Sequence, residues 1–354
     1  MEWRAPAVIG QVCRLWRQIV LNAPRVWAYI EIDHEKRPSI GELRSWLRRS
    51  GTASLHTRVY RDFTFDTDIN KRALYDILSE YHSRIASLRM SILGTPTLFM
   101  GRVFPCMRLL DIEHWDWKRH SIPLAQWGPI PRLQSLRLSA TEFPVVPLDD
   151  FPPLEELTLH RTHCNSFLRH SPSLTTLMLH DIVLGDVDSI PVTFPSLTFL
   201  SLNNVYGLKP HIHTPYLAGY HEGGFTSTPN EIFPSPLLSL VEYGVSSTLC
   251  HGSDLTEWHR SFPNVLRLSL RSHPSILIPL LDSLSGHPHL LPGLQKISVG
   301  QENESLNEEH QEIMMSLVRV RSEASHMDVA LYFEMGWRFH IPLFFGSVSH
   351  DLIK

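Results

Sequence analysis

Pro172-Ser-Leu174-Thr-Thr-Leu177-Met-Leu179 is followed, 23 residues on, by Pro195-Ser-Leu197-Thr-Phe-Leu200-Ser-Leu202. The phrase is a proline, an apolar anchor two residues later, and further apolar residues three and five positions after the anchor. Pro131-Arg-Leu133-Gln-Ser-Leu136-Arg-Leu138 and Pro152-Pro-Leu154-Glu-Glu-Leu157-Thr-Leu159 are earlier copies. The last two apolar positions of each phrase are two residues apart, so on a strand they point to one face. The anchor lies just upstream and helps fill the same interior. The proline suits strand entry, where a missing N–H costs little.

Worked outward, the anchors read Ile85, Met107, Leu133, Leu154, Leu174, Leu197, Leu217, Leu238, Val265 and Leu294, separated by 20 to 29 residues. That period is the leucine-rich-repeat range. One unit cannot bury its apolar face alone, whereas stacked units place their strands side by side, about 4.8 Å apart, over a continuous core. The fold class expected is therefore α/β: an irregular leucine-rich-repeat solenoid, with a parallel sheet on the concave face and short helices and loops on the convex face. The copy at Leu217 is degraded, since Tyr220 and Glu222 occupy its later apolar slots. Eight residues after the anchor, where such repeats carry Asn or Cys, the chain has Leu93, Trp115, Thr141, Thr162, Ile182, Val205, Phe225, Ser246, His273 and Glu302. No asparagine ladder is expected, and the solenoid should be irregular.

The longer units have room for helices. Asp254-Leu-Thr-Glu257 reads as a capping box opening a helix to about Phe262, and Ser275 to Ser285 as another helix. Asn307 to Ser322 reads as a longer helix, with Ile313, Leu317 and Val320 on one stripe, followed by a last strand at Ala330–Phe333. Upstream, Ser39-Ile-Gly-Glu42 is a capping box for a helix ending near Gly51. Leu55, Thr57 and Val59 alternate as in a strand. Asp68 to Ser83 is helical, with Leu74, Ile77, Leu78 and Tyr81 inward.

Composition narrows the function classes. An apolar fraction of 43% with 19% charged residues describes a foldable chain. The formal net charge of −4, without a basic block, argues against a general nucleic-acid grip. The strongest apolar stretch, Ile276 to Leu281, is far too short to span a bilayer. The N-terminus has no apolar run of signal-peptide type. Cys13, Cys106, Cys164 and Cys250 are widely separated and form no Cys-x-x-Cys pair, which favours a reducing compartment, cytoplasmic or nuclear.

The 21 histidines include the close pairs His211-Ile-His213 and His287-Pro-His289. Neither is joined by a His-Glu-x-x-His motif, a Cys/His array or an acidic cluster. His163–Cys164 and Cys250–His251 are adjacent in sequence, so on a strand their side chains point oppositely. With no Gly-rich phosphate loop and no Gly-x-Ser-x-Gly elbow, the chain is expected to be neither an enzyme nor a binder of a cofactor or metal.

Between the inward leucines, outward residues line the concave face. The central positions Arg137, Thr158, His160, Met178, His180, Ser201, Asn203 and His221 are the candidate surface for a protein target.

The N-terminal segment differs from the repeats. Val12, Trp16, Ile19 and Val20 sit at helical spacing, Pro24 breaks the helix, and Trp27 can fold back on it. Taken bare, this is a capping helix on the first repeat. The residues Val12-Cys13-Arg14-x-Trp16-Arg17-x-Ile19, then Ala23-Pro24-Arg25-x-Trp27, resemble the second half of an F-box in fungal F-box/leucine-rich-repeat proteins. Trp46-Leu-Arg-Arg-Ser-Gly51 before a strand, and the late helix with Met315, Arg319 and Arg321, are similar to the same family. The resemblance implies a partial F-box-like segment over residues 1–32 and a solenoid with a helix–strand cap over residues 33–354. It also implies that Val12, Cys13, Trp16 and Trp27 contact the Skp-type adaptor of a cullin ubiquitin ligase, with the repeats recruiting the target. An F-box opens with a Leu-Pro-x-Glu helix, and no such helix precedes Val12 in this sequence. Two readings stay open: a target-recruiting ligase subunit, or a repeat scaffold with no ubiquitin-ligase link.

Overall fold

In the computed structural model, the described residues are 5–33, 38–62, 69–92, 101–114, 120–121, 129–139, 141–142, 152–161, 163–164, 172–184, 192–206, 212–224, 232–233, 235–246, 254–271, 274–287, 289–301, 312, 315–317, 319–320, 323 and 330–335. The chain divides into two compact units, Met1–Ser171 and Pro172–Lys354.

In the first unit the strands β1 (Tyr29–Asp33), β2 (Leu55–Asp62), β3 (Ile85–Ile92), β4 (Leu109–His114), β5 (Ser135–Ser139) and β6 (Glu156–His160) lie side by side in chain order. Every neighbouring pair is parallel. The helices of this unit are α1 (Ala5–Val12), α2 (Arg14–Leu21), α3 (Ile40–Arg49) and α4 (Ile69–Glu80). In the second unit β7 (Thr176–Leu184), β8 (Phe199–Tyr206), β9 (Gly219–Gly223), β10 (Glu242–Ser246), β11 (Arg267–Arg271), β12 (Lys296–Gln301) and β13 (Ala330–Met335) follow the same rule. Its helices α5 (Asp254–Ser261) and α6 (Pro274–Gly286) occupy two of the longer repeat intervals. Consecutive parallel strands built from one recurring phrase are the expected repeat solenoid of the leucine-rich kind. Among the described residues no helix is long and apolar enough to cross a membrane.

The leucine phrase fills the interior as its spacing dictates. Leu133, Leu136 and Leu138 are buried, as are Leu154, Leu157 and Leu159, Leu174, Leu177 and Leu179, and Leu197, Leu200 and Leu202. Each buried leucine contributes about 1.5–3 kcal/mol of transfer free energy against the entropy of ordering the strand. The start of each unit is a tight turn closed by the anchor N–H, which donates to the carbonyl three residues earlier: Met107 to Phe104, Leu133 to Ile130, Leu197 to Phe194, Val265 to Phe262 and Leu294 to Leu291. The residue accepting that bond is itself often interior, with Phe104, Phe194, Phe262 and Leu291 fully buried. The repeat phrase therefore begins one apolar residue before its proline.

That turn corrects one anchor. Leu238 is 67% exposed, whereas Leu240 is fully buried and donates to Leu237. Tyr243 and Val245 stand opposite Tyr220 and Glu222 of the preceding strand. A slip of two residues keeps the same side chains on the same face, so strand alternation cannot distinguish the two registers. Pro236 imitates the phrase, but Leu238–Ser239 take the turn positions that Pro-Ser fills at Leu197.

A second correction concerns the turn after the strand. Seven residues past the anchor, Arg161, Asp181, Asn204 and Gly224 all have positive φ, between 50° and 64°. Asn and Asp tolerate this left-handed conformation better than most residues, and Gly best of all. Asn204 donates from Nδ2 to Asp181 Oδ1 at 2.8 Å. A Cβ on Gly224 would collide with the Asn204 amide as it lies, and the positive φ also favours glycine there. A short Asp–Asn ladder thus stands seven residues after the anchor, one position earlier than the repeat pattern places it.

The remaining elements follow from local chemistry. Ser39 Oγ accepts from the Glu42 N–H at 3.2 Å and Glu42 Oε2 accepts from the Ser39 N–H at 2.8 Å, the expected capping box of α3. Leu43, Trp46 and Leu47 are buried on its inner face. In α4, Ile77 and Leu78 are buried and Tyr81 just beyond is half-buried, while the side chain of Leu74 lies outside the described residues. Asp254 is the first residue of α5. Leu255 and Trp258 of that helix are buried, and the Trp258 ring meets the Tyr243 ring at 5.1 Å. The described residues within 307–322 are helical and Leu317 is buried; Ile313 lies outside them.

Thr57 of β2 faces inward at the place where other units carry leucine, opposite Leu88. It is buried, and among the described residues its hydroxyl has no partner. Thr57→Val removes the unpaired hydroxyl at nearly constant shape. Urea unfolding should show a stability gain of about 1 kcal/mol.

Candidate functional site

Two surfaces carry the candidate residues. The first is the pair α1 and α2. Cys13 interrupts what the spacing suggests is one helix: its backbone is extended, and its sulfur accepts from the Trp16 N–H at 3.5 Å to cap α2. Arg17 Nε donates back to the Gly10 carbonyl at 2.9 Å, which fixes the bend between the helices. Only Val20 of α2 is buried. It packs with Trp27 and with Trp46 of α3. The Trp27 indole N–H donates to the Val20 carbonyl at 2.8 Å, and the Arg49 guanidinium lies over the Trp27 ring.

The four adaptor candidates therefore separate. Val12 (69% exposed) and Trp16 (50%) are open, and Cys13 is exposed with a free thiol. Trp27 is interior, so its role in the structure is to hold α2 against α3 rather than to offer surface. Ile19, already placed at helical spacing, is exposed too, and α1 and α2 add Val8, Leu15 and Leu21, all exposed. Their signal is the excess of apolar residues in two short helices, whose polar side chains are Gln11, Arg14, Arg17 and Gln18. Residues 5–28 contain Arg14, Arg17 and Arg25 and no acid. The chain crosses the expected boundary at residues 32 and 33 inside β1, which pairs with β2 of the solenoid.

The second surface is the polar face of the strands in each unit, opposite the leucines. Three outward rows lie two, four and six residues after the anchors. In the first unit, Arg137 is exposed, and Thr158 and His160 are half-buried. His160 Nδ1 lies 2.9 Å from Ser139 Oγ, its register neighbour on β5. Arg137 lies 3.9 Å from Glu156, which also accepts from Ser135 Oγ at 3.0 Å. Asp111 stands between Arg89 and Arg137 in register. Burial raises its carboxyl above the ordinary value, against the opposing pull of Arg89, Arg137 and Arg58.

In the second unit, Met178, Ser201 and His221 form the middle row and His180 and Asn203 the next. Ser201 is 9% exposed, the most withdrawn of these residues, while Met178, His180, Asn203 and His221 are half-buried. The corrected anchor moves Glu242 to the first outward row and places Gly244 beside His221. Glycines then decide how the side chains lie. A Cβ on Gly219 would meet the Phe199 ring at 2.8 Å, one on Gly244 the His221 ring at 2.7 Å, and one on Gly223 the Asn203 amide at 2.9 Å. Each of the three side chains thus lies over the glycine of the next strand. The Phe199 and His221 rings meet edge to face at 5.1 Å. His221 Nε2 is 3.2 Å from Glu242 Oε1, and Arg267 donates to Glu242 Oε2 at 3.0 Å. The His221 hydrogen bond is the main cause that holds the Glu242 carboxyl below its ordinary value; burial opposes it, and His221, Arg267 and Lys296 add their field.

Among the described residues no three His, Cys, Asp or Glu side chains are grouped to hold a metal ion. His287 and His289 face each other edge to face at 5.8 Å, and His287 Nδ1 lies 3.1 Å from the Ser283 carbonyl. His211, Cys250 and His251, and the side chains of His163 and Cys164, lie outside the described residues.

The class these observations define is a parallel-stranded repeat protein with an apolar helical surface at its N-terminal end and a polar face on the strands of each unit. No protein-family model matches the chain, and no curated protein matches it.

Proposed function

We propose that the chain is a non-catalytic recognition protein: the target-recruiting F-box/leucine-rich-repeat subunit of a cullin-type ubiquitin ligase. In this reading α1 and α2 dock on the Skp-type adaptor, and the polar faces of the strands take the protein target. The observation that carries it is the open apolar surface of α1 and α2, made by Val8, Val12, Leu15, Trp16, Ile19 and Leu21. Exposed apolar side chains clustered on one element are a mark of a partner. Three arginines and no acid among them suit an apolar groove with an acidic rim.

The test is direct. Mixed with the purified Skp-type adaptor, the chain should elute as a one-to-one complex. Trp16→Ala should weaken that complex by about 2–4 kcal/mol, the cost of removing an aromatic anchor, while Trp27→Phe should lower stability and leave intrinsic affinity unchanged. No complex with the adaptor would refute the ligase reading and leave a repeat scaffold.

A further inference from the structure

The polar face of the second unit has a charge pattern that the chain as a whole does not share. Across the three outward rows from β7 to β12, the register places Arg267, Lys296 and Arg271 on two neighbouring strands. One acid, Glu242, stands beside them on β10, and the rest of these rows is uncharged apart from histidine. The chain carries a formal net charge of −4, so this concentration of cations runs against the overall balance. Glu334 follows only on β13.

The floor beneath these cations is low. Between the row of Arg267 and Lys296 and that of Arg271 and Gly300 lie Ser269 and Ser298, with Gly244 next to Ser269. Gly244 is buried, and both serines are half-buried. Small side chains let another backbone approach the sheet closely. Arg267 has a 53% exposed side chain even while it meets Glu242, so one edge of its guanidinium faces solvent. On the flank, the Phe199 and His221 rings lie over Gly219 and Gly244 and raise a shallow wall.

We infer that this face, from β9 to β12, seats an extended segment of a partner protein that carries an aspartate or glutamate side chain at Arg267 and Lys296. The inference rests on the reading of the polar faces as target surfaces, and it adds the chemistry of the target. The segment's main chain runs over Gly244, Ser269 and Ser298, whose hydroxyls supply donors. Its carboxylate meets Arg267 and Lys296, and the fixed Glu242 on the same side repels a second acid placed next to it. Recognition thus needs one acid at one position rather than a run of acids.

A library of random twelve-residue peptides, displayed and selected on the intact chain, tests this. Selected peptides should share one Asp or Glu, and synthetic copies should bind by fluorescence anisotropy. The double variant Arg267→Glu/Lys296→Glu, checked for an unchanged circular-dichroism melt, should weaken that binding at least tenfold. Changing the shared acid of the peptide to lysine should restore binding to the double variant. Ser269→Tyr, which fills the floor, should abolish binding of every selected peptide. Peptides lost on Ser269→Tyr yet indifferent to the charge reversal would overturn the acidic-target inference while leaving the face a recognition surface. Peptides indifferent to both variants would overturn the inference together with the reading of this face. A phosphoserine in place of the shared acid that binds more than tenfold tighter would assign the cations to phosphate and overturn the carboxylate.

Discussion

Leu240→Ala should destabilise the chain by about 3–4 kcal/mol in urea unfolding, while Leu238→Ala, two residues away in the same phrase, should stay within about 0.5 kcal/mol of the wild type. Both leucines look alike in sequence, and Leu238 follows a proline at the repeat spacing. The difference is burial. Leu240 is fully enclosed, and Leu238 is 67% exposed in the turn. Truncating Leu240 removes the transfer free energy of its methyl and methylene groups and leaves a cavity beneath Leu217 and Val265, the anchors of the adjoining units. Because each repeat is stabilised mainly by its neighbours, the loss should spread to the adjacent units and broaden the transition. Equal effects of the two substitutions would show that the turn from Leu237 to Leu240 does not set the register.

Glu222→Leu should cost about 2–5 kcal/mol, although it restores the leucine that the repeat phrase asks for. The copy at Leu217 looks degraded because Tyr220 and Glu222 replace two leucines. In the structure they form a unit with Tyr243. Both tyrosines are fully buried, with their rings stacked at 5.9 Å. The Tyr220 hydroxyl donates to Glu222 Oε2 at 2.9 Å, and the Tyr243 hydroxyl donates to Glu222 Oε1. Burial holds the Tyr220 hydroxyl well above its ordinary value, with the Glu222 charge adding to it, so it remains a donor throughout the working pH range. Replacing the carboxylate with leucine leaves two buried donors without an acceptor, at about 1–3 kcal/mol each. The triple variant Tyr220→Phe/Tyr243→Phe/Glu222→Leu removes donors and acceptor together and should recover most of the loss, a strongly non-additive cycle. Glu222→Leu at or above wild-type stability would show that the carboxylate is dispensable.

The sheet was legible because two spacings repeat: two residues between inward side chains, and 20 to 29 between anchors. Helices α5 and α6 were legible because their intervals are among the longer ones and leave room for them. The outward rows were also legible, because strand alternation fixes the face of each residue. What a side chain does on that face was not. His221 is drawn to Glu242 only because Gly244 leaves its ring room, and two neighbouring strands, 21 residues apart in sequence at this contact, meet to make it. The N-terminal surface was half legible. Trp16 and Val12 stand open, but Trp27, equally prominent in sequence, is taken inside by Val20 and Trp46.

By itself, the sequence determined a stack of parallel strands with a leucine core, because the period of the apolar residues admits no other burial. It also determined which residues face outward. Tertiary structure alone decided the register at Leu240, since a slip of two residues keeps every face unchanged and only the turn hydrogen bond separates the alternatives. It likewise decided that Glu222 sits half-buried on the leucine side of its strand, because a carboxylate there is costly and becomes acceptable when two tyrosine hydroxyls reach it.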